Sequence, residues 1–113
     1  MPQPILILST CESRDQGERI AHALVAERLA ACVNIVPGIT SVYRWMGAVE
    51  TASEHLLIIK TTEEKSAAVE ERIVLLHSYD TPELLRIPIE GGSQKYFAWL
   101  ISAIGEAGPE HVA

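Results

Sequence analysis

The sequence predicts an α+β fold with the element order βαββαβ and one added helix at the C-terminal end. Three observations support this: four short runs rich in Ile, Leu and Val, three stretches with apolar residues at helical spacing, and turn residues between them. This order is the split βαβ arrangement of ferredoxin-like folds. The 113 residues fit one domain, which we expect to span residues 1–113.

The first strand and the first helix are predicted from the N-terminal part of the chain. Residues 4–10 form an apolar run that is too short for a helix. Ser13 and Gln16 then have the spacing of a capping box, in which each side chain satisfies a backbone N–H of the other residue. Apolar residues follow at helical spacing over about four turns, so we expect an amphipathic helix that covers one face of the sheet.

The next two strands form a long hairpin over residues 32–45 and 50–61, with its turn at residues 46–48. Pro37 and Gly38 interrupt the first of these strands and predict a bulge. The second is apolar on both faces at residues 56–59, as in a central strand. About 13 residues per strand reach ~43 Å, whereas a compact domain of this size has a radius of gyration near ~13 Å. The hairpin should therefore overhang the core and need cover from another subunit.

The second half of the chain repeats the helix–strand pattern. Thr61 and Glu64 have the spacing of a second capping box, and the helix that it would start should end near His77. Residues 84–89 are predicted to form a strand, and Pro88 confines this strand to an edge of the sheet or to a bulge. Ser93 is a candidate cap for the last helix. Residues 105–113 are expected to form a flexible tail.

Composition excludes several classes of function. The chain has 15 acidic and 9 basic residues and a net charge of −6, so its field repels phosphate backbones and anionic lipid surfaces. We therefore expect no nucleic-acid partner and no membrane partner. No segment approaches the ~20 apolar residues of a membrane span, and no secretory leader is recognisable, which favours a cytoplasmic protein. Cys11 and Cys32 lack metal-binding or redox spacing and are expected to be reduced and buried.

Four motifs resemble the CutA1 divalent-cation tolerance family: LVAERLAACVNIVPGITSVYRWMG, LLIIKTT, LHSYDTPELL and the pair Tyr96-x-x-Trp99. They follow each other in the family's order and cover nearly the whole chain. The resemblance implies a homotrimer in which long hairpins from three subunits build a shared sheet. It also implies a binding or signalling role in the response to metal ions, by analogy with the structurally similar PII trimers.

The resemblance also implies candidate metal ligands. Copper binding in the family is attributed to a Cys late in the first strand and a pair of His residues at a helix end. Here these positions carry Ser9, Leu76 and His77, and Cys11 is a candidate substitute for the missing thiol. The alternative for His77 is a helix cap that bonds a neighbouring subunit. We expect no obligatory cofactor and only weak binding of Cu(II) or another divalent metal.

A second set of candidates resembles the lining of the family's intersubunit cleft: Tyr43, Trp45, Glu54, Lys60 and Tyr79. Aromatic walls with a few charges suit a small-molecule pocket. The alternative is that the two hairpin aromatics anchor an interface while Glu54 and Lys60 pair across strands. Ser78 stands where the family usually has proline, which predicts a less rigid loop.

The remaining alternatives concern the class of protein. No nucleophile–base arrangement and no phosphate-binding glycine loop is recognisable, so we expect no enzyme. An acylphosphatase-like site would need such a loop beside Arg14. A trimeric scaffold that presents a surface to a partner, with an indirect effect on metal tolerance, is the main alternative to a binding module. His22, His55 and His111 have no recognisable partner and are expected to be solvated.

Overall fold

A computed structural model describes residues 2–105 of the chain. The predicted α+β order βαββαβ with an added C-terminal helix is confirmed. Apart from Gly105, the predicted flexible tail lies outside the described residues. The elements are β1 (Pro4–Cys11), α1 (Arg14–Ala26), β2 (Cys32–Trp45), β3 (Ala48–Thr62), α2 (Ser66–Leu76), β4 (Leu85–Pro88) and α3 (Gln94–Ala103).

The four strands form one antiparallel sheet in the order β2-β3-β1-β4. β3 lies inside the sheet between β2 and β1, as its double-sided apolar pattern predicts. β4 lies at the edge next to β1, which confirms the position that Pro88 requires. This is the strand order of a ferredoxin-like sheet.

One face of the sheet is covered by α1 and α2, and we call it the covered face. Alternate residues of β1 and β3 point to this face because successive side chains of a strand point to opposite sides. They meet the apolar stripes of the two helices and together form the main core, in which each residue is at most 1% exposed. This core contains Ile5, Ile7, Ile20, Leu24, Leu57, Ile59, Val69 and Ile73.

The opposite face, which we call the open face, is also apolar but only partly covered. α3 lies over one end of it, where Leu100 and Ile104 pack against Ala31. The aliphatic residues in its middle stay half-buried or exposed within the chain. They are Leu6, Leu8, Val36, Leu56, Ile58, Leu85 and Ile87.

The hairpin of β2 and β3 overhangs the rest of the sheet, as its length predicts. β1 pairs with β3 only over His55–Thr62, so residues 39–54 form a two-stranded arm. The molecule measures 50 Å along its longest axis against 26 and 23 Å along the others. Met46 (φ 49°) and Gly47 (φ 82°) close the arm in the two-residue turn with two positive φ angles that matches the twist of a hairpin.

The predicted bulge in β2 is confirmed at Pro37 and Gly38, which lie together opposite His55. Gly38 has a φ of 71°, a conformation that glycine adopts without steric cost. Before the bulge the even-numbered residues of β2 share a face with Leu56; after it the odd-numbered ones share that face with Glu54. The bulge therefore keeps one continuous face along the sheet and the arm.

The first predicted cap is confirmed in part. Ser13 Oγ accepts a hydrogen bond from the backbone N–H of Gln16 at the start of α1. The Gln16 amide does not bond back to Ser13: it donates to Leu76 O and accepts from the Ser78 N–H. These two bonds join the start of α1 to the end of α2.

The second predicted capping box is wrong. Thr61 lies inside β3, and its hydroxyl donates to Leu29 O at 2.7 Å instead of capping a helix. A short 3₁₀ turn, Glu63–Lys65, follows the strand, and α2 begins only at Ser66. Thr61 is fully buried by the fold, which outweighs the local capping preference.

Candidate functional site

A cavity of about 750 Å³ lies where the arm meets the loop that follows α2. The arm supplies one wall with aromatic side chains, and the loop of residues 79–83 supplies the other. The bulge in β2 places Tyr43 and Trp45 on the same face as Glu54. The lining residues are Thr10, Ser41, Val42, Tyr43, Trp45, Glu54, Tyr79, Asp80, Thr81, Pro82 and Glu83.

Glu54 and Tyr79 form the polar centre of this cavity. The Tyr79 hydroxyl donates to Glu54 Oε2 at 2.7 Å, and Glu54 is only 7% exposed. Burial, this hydrogen bond and the nearby negative charge of Glu54 raise the pKa of Tyr79 well above its ordinary value. Tyr79 therefore stays protonated at neutral pH and acts as a donor. Within residues 2–105, no hydrogen bond satisfies the second oxygen of Glu54.

His77 holds the loop against β1. Its Nε2 bonds Thr10 O at 2.7 Å, and its Nδ1 accepts from the Tyr79 N–H at 3.0 Å. An accepting Nδ1 and a donating Nε2 define the neutral ring. Both nitrogens are therefore engaged, and the bond to β1 lies within the same chain. The predicted role of His77 as a metal ligand stays a prediction that requires one of these bonds to break.

Cys11 ends β1 in a packed environment. The thiol is fully buried, donates to Ser13 O at 3.3 Å and lies so close to Gly17 that a Cβ there would be 3.2 Å from the sulfur. Burial is the main cause that raises the pKa of the Cys11 thiol, which disfavours the thiolate that metals bind. Among residues 2–105, no three His, Cys, Asp or Glu side chains are grouped to hold a metal ion. Cys11 as a metal ligand also stays a prediction.

Lys60 lies apart from the other four cleft candidates within one chain. It is six residues from Glu54 along β3, roughly 20 Å at the rise of a strand. Its ammonium group lies 5.8 Å from the ring centre of Tyr96 on α3. Glu54 and Lys60 do not pair across strands, because their partners in β2 are Ile39 and Cys32. A place for Lys60 in a cleft shared between subunits stays a prediction.

Ser78 uses groups that a proline would lack. Its backbone N–H donates to Gln16 Oε1 at 3.0 Å, and its hydroxyl donates to Glu12 Oε1 at 3.0 Å. Proline has no N–H, so the first bond exists only because another residue stands here. These two bonds tie the loop to the start of α1 and compensate for the backbone rigidity that proline would give.

Sequence reasoning missed several lining residues and the partial burial of one histidine. Asp80 and Glu83 lie within the motif LHSYDTPELL, but only the fold shows that they face the arm. His55 was predicted to be solvated, which is wrong: it is half-buried, and its Nδ1 is buried with no partner among residues 2–105. It lies opposite the bulge, on the same face as Cys11, its partner in β1. His22 is exposed as predicted, whereas His111 is outside the described residues.

The fold and the cavity together define a ferredoxin-like α+β protein with an extended hairpin arm and an aromatic, acidic cavity at its base. Residues 5–103 match the family described as CutA1 divalent ion tolerance protein. The chain therefore belongs to the CutA1 family, as its motifs predict. No helix among residues 2–105 has the length and apolar character needed to cross a membrane.

Relatives and solved structures agree with this assignment. The chain is 48% identical to the divalent-cation tolerance protein CutA of Thermus thermophilus over 95 residues, or 84% of this chain and 92% of that protein. It is 47% identical to the chloroplastic CutA 1 protein of Oryza sativa over 103 residues, or 91% of this chain. The crystal structure of CutA1 from Oryza sativa superposes with a TM-score of 0.90 at 45% identity, covering 94% of this chain and 97% of that one.

The chain spans just over half the length of two plant relatives. It covers 58% of the Oryza sativa protein and 53% of the chloroplastic CutA protein of Arabidopsis thaliana. The family names describe tolerance to divalent ions, not a chemical reaction.

Proposed function

We propose that this protein is a homotrimeric binding module of the CutA1 family that takes a small ligand in a cleft between subunits and serves the response to divalent metal ions. The observation that carries the proposal is the cavity of about 750 Å³ at the base of the arm, whose volume suits a small molecule. Its aromatic and apolar wall faces hydroxyl and carboxylate groups that can orient a ligand. The role is binding and signalling, not catalysis.

The open face supports the assembly. Leu85 is 52% exposed, Ile87 40% and Val36 38%, and together with their half-buried neighbours they form a continuous apolar surface. Contiguous apolar surface of this kind marks interfaces. The arm adds exposed Val42 and Val49 next to unpaired strand edges. Burial of both regions by other copies explains why the chain presents them.

Metal ions take a minor place in this proposal. Cu(II) or another divalent metal would bind weakly through His77 or Cys11, because His77 would have to give up a hydrogen bond and Cys11 a proton. No metal is an obligatory cofactor. Calorimetric titration of the protein with Cu(II) and Zn(II), beside His77→Ala, tests this point: binding tighter than about 1 μM that disappears in the variant would make His77 a true ligand.

Assembly is tested by Leu8→Lys, which places a charge in the middle of the open face. We expect the mass in solution, measured by light scattering, to fall from that of a trimer to that of a monomer of 12.4 kDa. The helical signal in circular dichroism should be retained. Val74→Lys is the matched control, because Val74 is 50% exposed on α2, away from the open face. A trimer that survives Leu8→Lys would contradict the proposed interface.

Ligand binding is tested with a library of small metabolites in a thermal-shift assay. Compounds that raise the melting temperature of the wild type but not of Trp45→Ala would support a binding module, because Trp45 lines the cavity and contributes little to the core. A trimer that no compound stabilises would favour the scaffold function instead.

A further inference from the structure

We propose that the cavity at the base of the arm selects a small organic cation, such as a primary amine or a quaternary ammonium compound, held between the aromatic wall and Glu54. This inference rests on the proposed function, since it names the ligand class of the same cavity. It goes beyond tolerance of metal ions because the ligand is organic.

The charges of the lining have one sign. Glu54, Asp80 and Glu83 are acidic, and none of the lining residues is Lys, Arg or His. Glu12, which contacts the loop through Ser78, adds another negative charge nearby. A concave site with charges of one sign concentrates ligands of the opposite sign. An anionic effector would therefore be repelled.

Glu54 is the most buried charged residue of the lining. It is nine-tenths buried, yet its one hydrogen bond comes from the neutral hydroxyl of Tyr79. A buried carboxylate is stable when it is paired with a positive group. No Lys, Arg or His side chain among residues 2–105 forms a salt bridge with it. A positive ligand in the cavity would supply the missing partner.

The aromatic residues favour an organic cation over a metal ion. Tyr43, Trp45 and Tyr79 line the cavity together, and ammonium groups are attracted to the faces of such rings. Burial and the neighbouring carboxylate raise the pKa of Tyr79, so its ring stays neutral. A hard divalent ion takes six or more oxygen ligands, whereas an ammonium group needs one carboxylate and an aromatic surface. The cavity offers the second arrangement.

Three probes of similar size test the charge preference: benzylammonium, benzyl alcohol and benzoate. Calorimetric titration of the intact protein at fixed ionic strength should give saturable binding of benzylammonium at least tenfold tighter than of benzyl alcohol, and no binding of benzoate. Glu54→Gln, which keeps an acceptor for Tyr79, should weaken benzylammonium at least tenfold. Trp45→Ala should weaken it as well. Glu71→Gln, an exposed carboxylate on α2, should leave binding unchanged.

Three results would overturn the cation preference while leaving a ligand site in place. The first two are equal binding of the three probes, and benzylammonium binding that Glu54→Gln does not change. Binding that appears only in Lys60→Met would also overturn it, since Lys60 of a neighbouring copy would then be the natural partner of Glu54. If neither these probes nor a metabolite library binds in a way that Trp45→Ala affects, the proposed function fails together with the inference.

Discussion

The two faces of one sheet differ in how far the chain's own helices cover them. On the covered face, Ile59 is fully buried beneath the chain's own helices. On the open face, the next residue, Ile58, is only half-buried although its side chain is the same. Alternate residues of the same strand thus have equal hydrophobicity and unequal burial. The difference teaches that the open face is as apolar as a core but is left largely uncovered by its own chain.

The largest expected effect separates the two faces directly. Ile59→Ala removes methyl groups from a closed core and should lower the free energy of unfolding by about 2–5 kcal/mol at any protein concentration. Ile58→Ala should destabilise mainly through the assembly, so its cost should depend on protein concentration. Urea unfolding at two concentrations measures both effects. Equal, concentration-independent losses would show that the faces do not differ.

The two cysteines sharpen the comparison because they lie on different faces. Cys11 points to the covered face, whereas Cys32, paired with Lys60, points to the open face and is half-buried. Burial raises the pKa of Cys11, so little of it is thiolate at neutral pH. With a disulfide reagent, Cys11→Ala, which keeps only Cys32, should react at least tenfold faster than Cys32→Ala.

The assembly adds a control to this thiol experiment. Cys32 should become more reactive in a Leu8→Lys background if other copies cover the open face, while Cys11 should not change. An equal gain for both thiols would indicate general loosening of the fold instead.

The smallest expected effect concerns how the free energy of unfolding depends on pH through Tyr79, which lies where the arm meets the loop. The pKa of Tyr79 is raised from its ordinary value of 10.0, so the unfolded chain loses this proton first as pH rises. Stability should therefore fall above pH 10, and Tyr79→Phe should show a shallower fall between pH 8 and pH 11. Tyr96→Phe is the control, because that ring is exposed on α3. Identical slopes for wild type and Tyr79→Phe would contradict the raised pKa.

Most of the fold follows from patterns that local physics controls. Apolar spacing predicts the helices and strands, Pro88 predicts an edge strand, and Pro37 with Gly38 predicts the bulge. The prediction that Thr61 caps a helix fails because the hydroxyl bonds Leu29 O inside the fold, and that contact depends on residues far along the chain. The prediction that His55 is solvated fails for the same reason.

The candidate site is less predictable than the fold. Four of the five cleft candidates line one cavity, but the resemblance to a family supplies them, and spacing alone does not. Asp80 and Glu83 join them because the bonds of His77 to Thr10 and Tyr79 turn the loop toward the arm. Lys60 lies elsewhere because six residues of strand separate it from Glu54.

The bulge at Pro37 and Gly38 also has an evolutionary consequence. At the bulge two residues of β2 lie opposite one residue of β3, so β2 has one residue more than a regular ladder would pair. Loss of one codon there would give a regular ladder with Ile39 still opposite Glu54 and the turn unchanged. Gain of one codon in β3 beside His55 would also give every residue a partner, but it would turn Glu54, Tyr43 and Trp45 to the other face of the sheet. Natural variants should therefore lose a residue of β2 at the bulge more often than they gain one in β3.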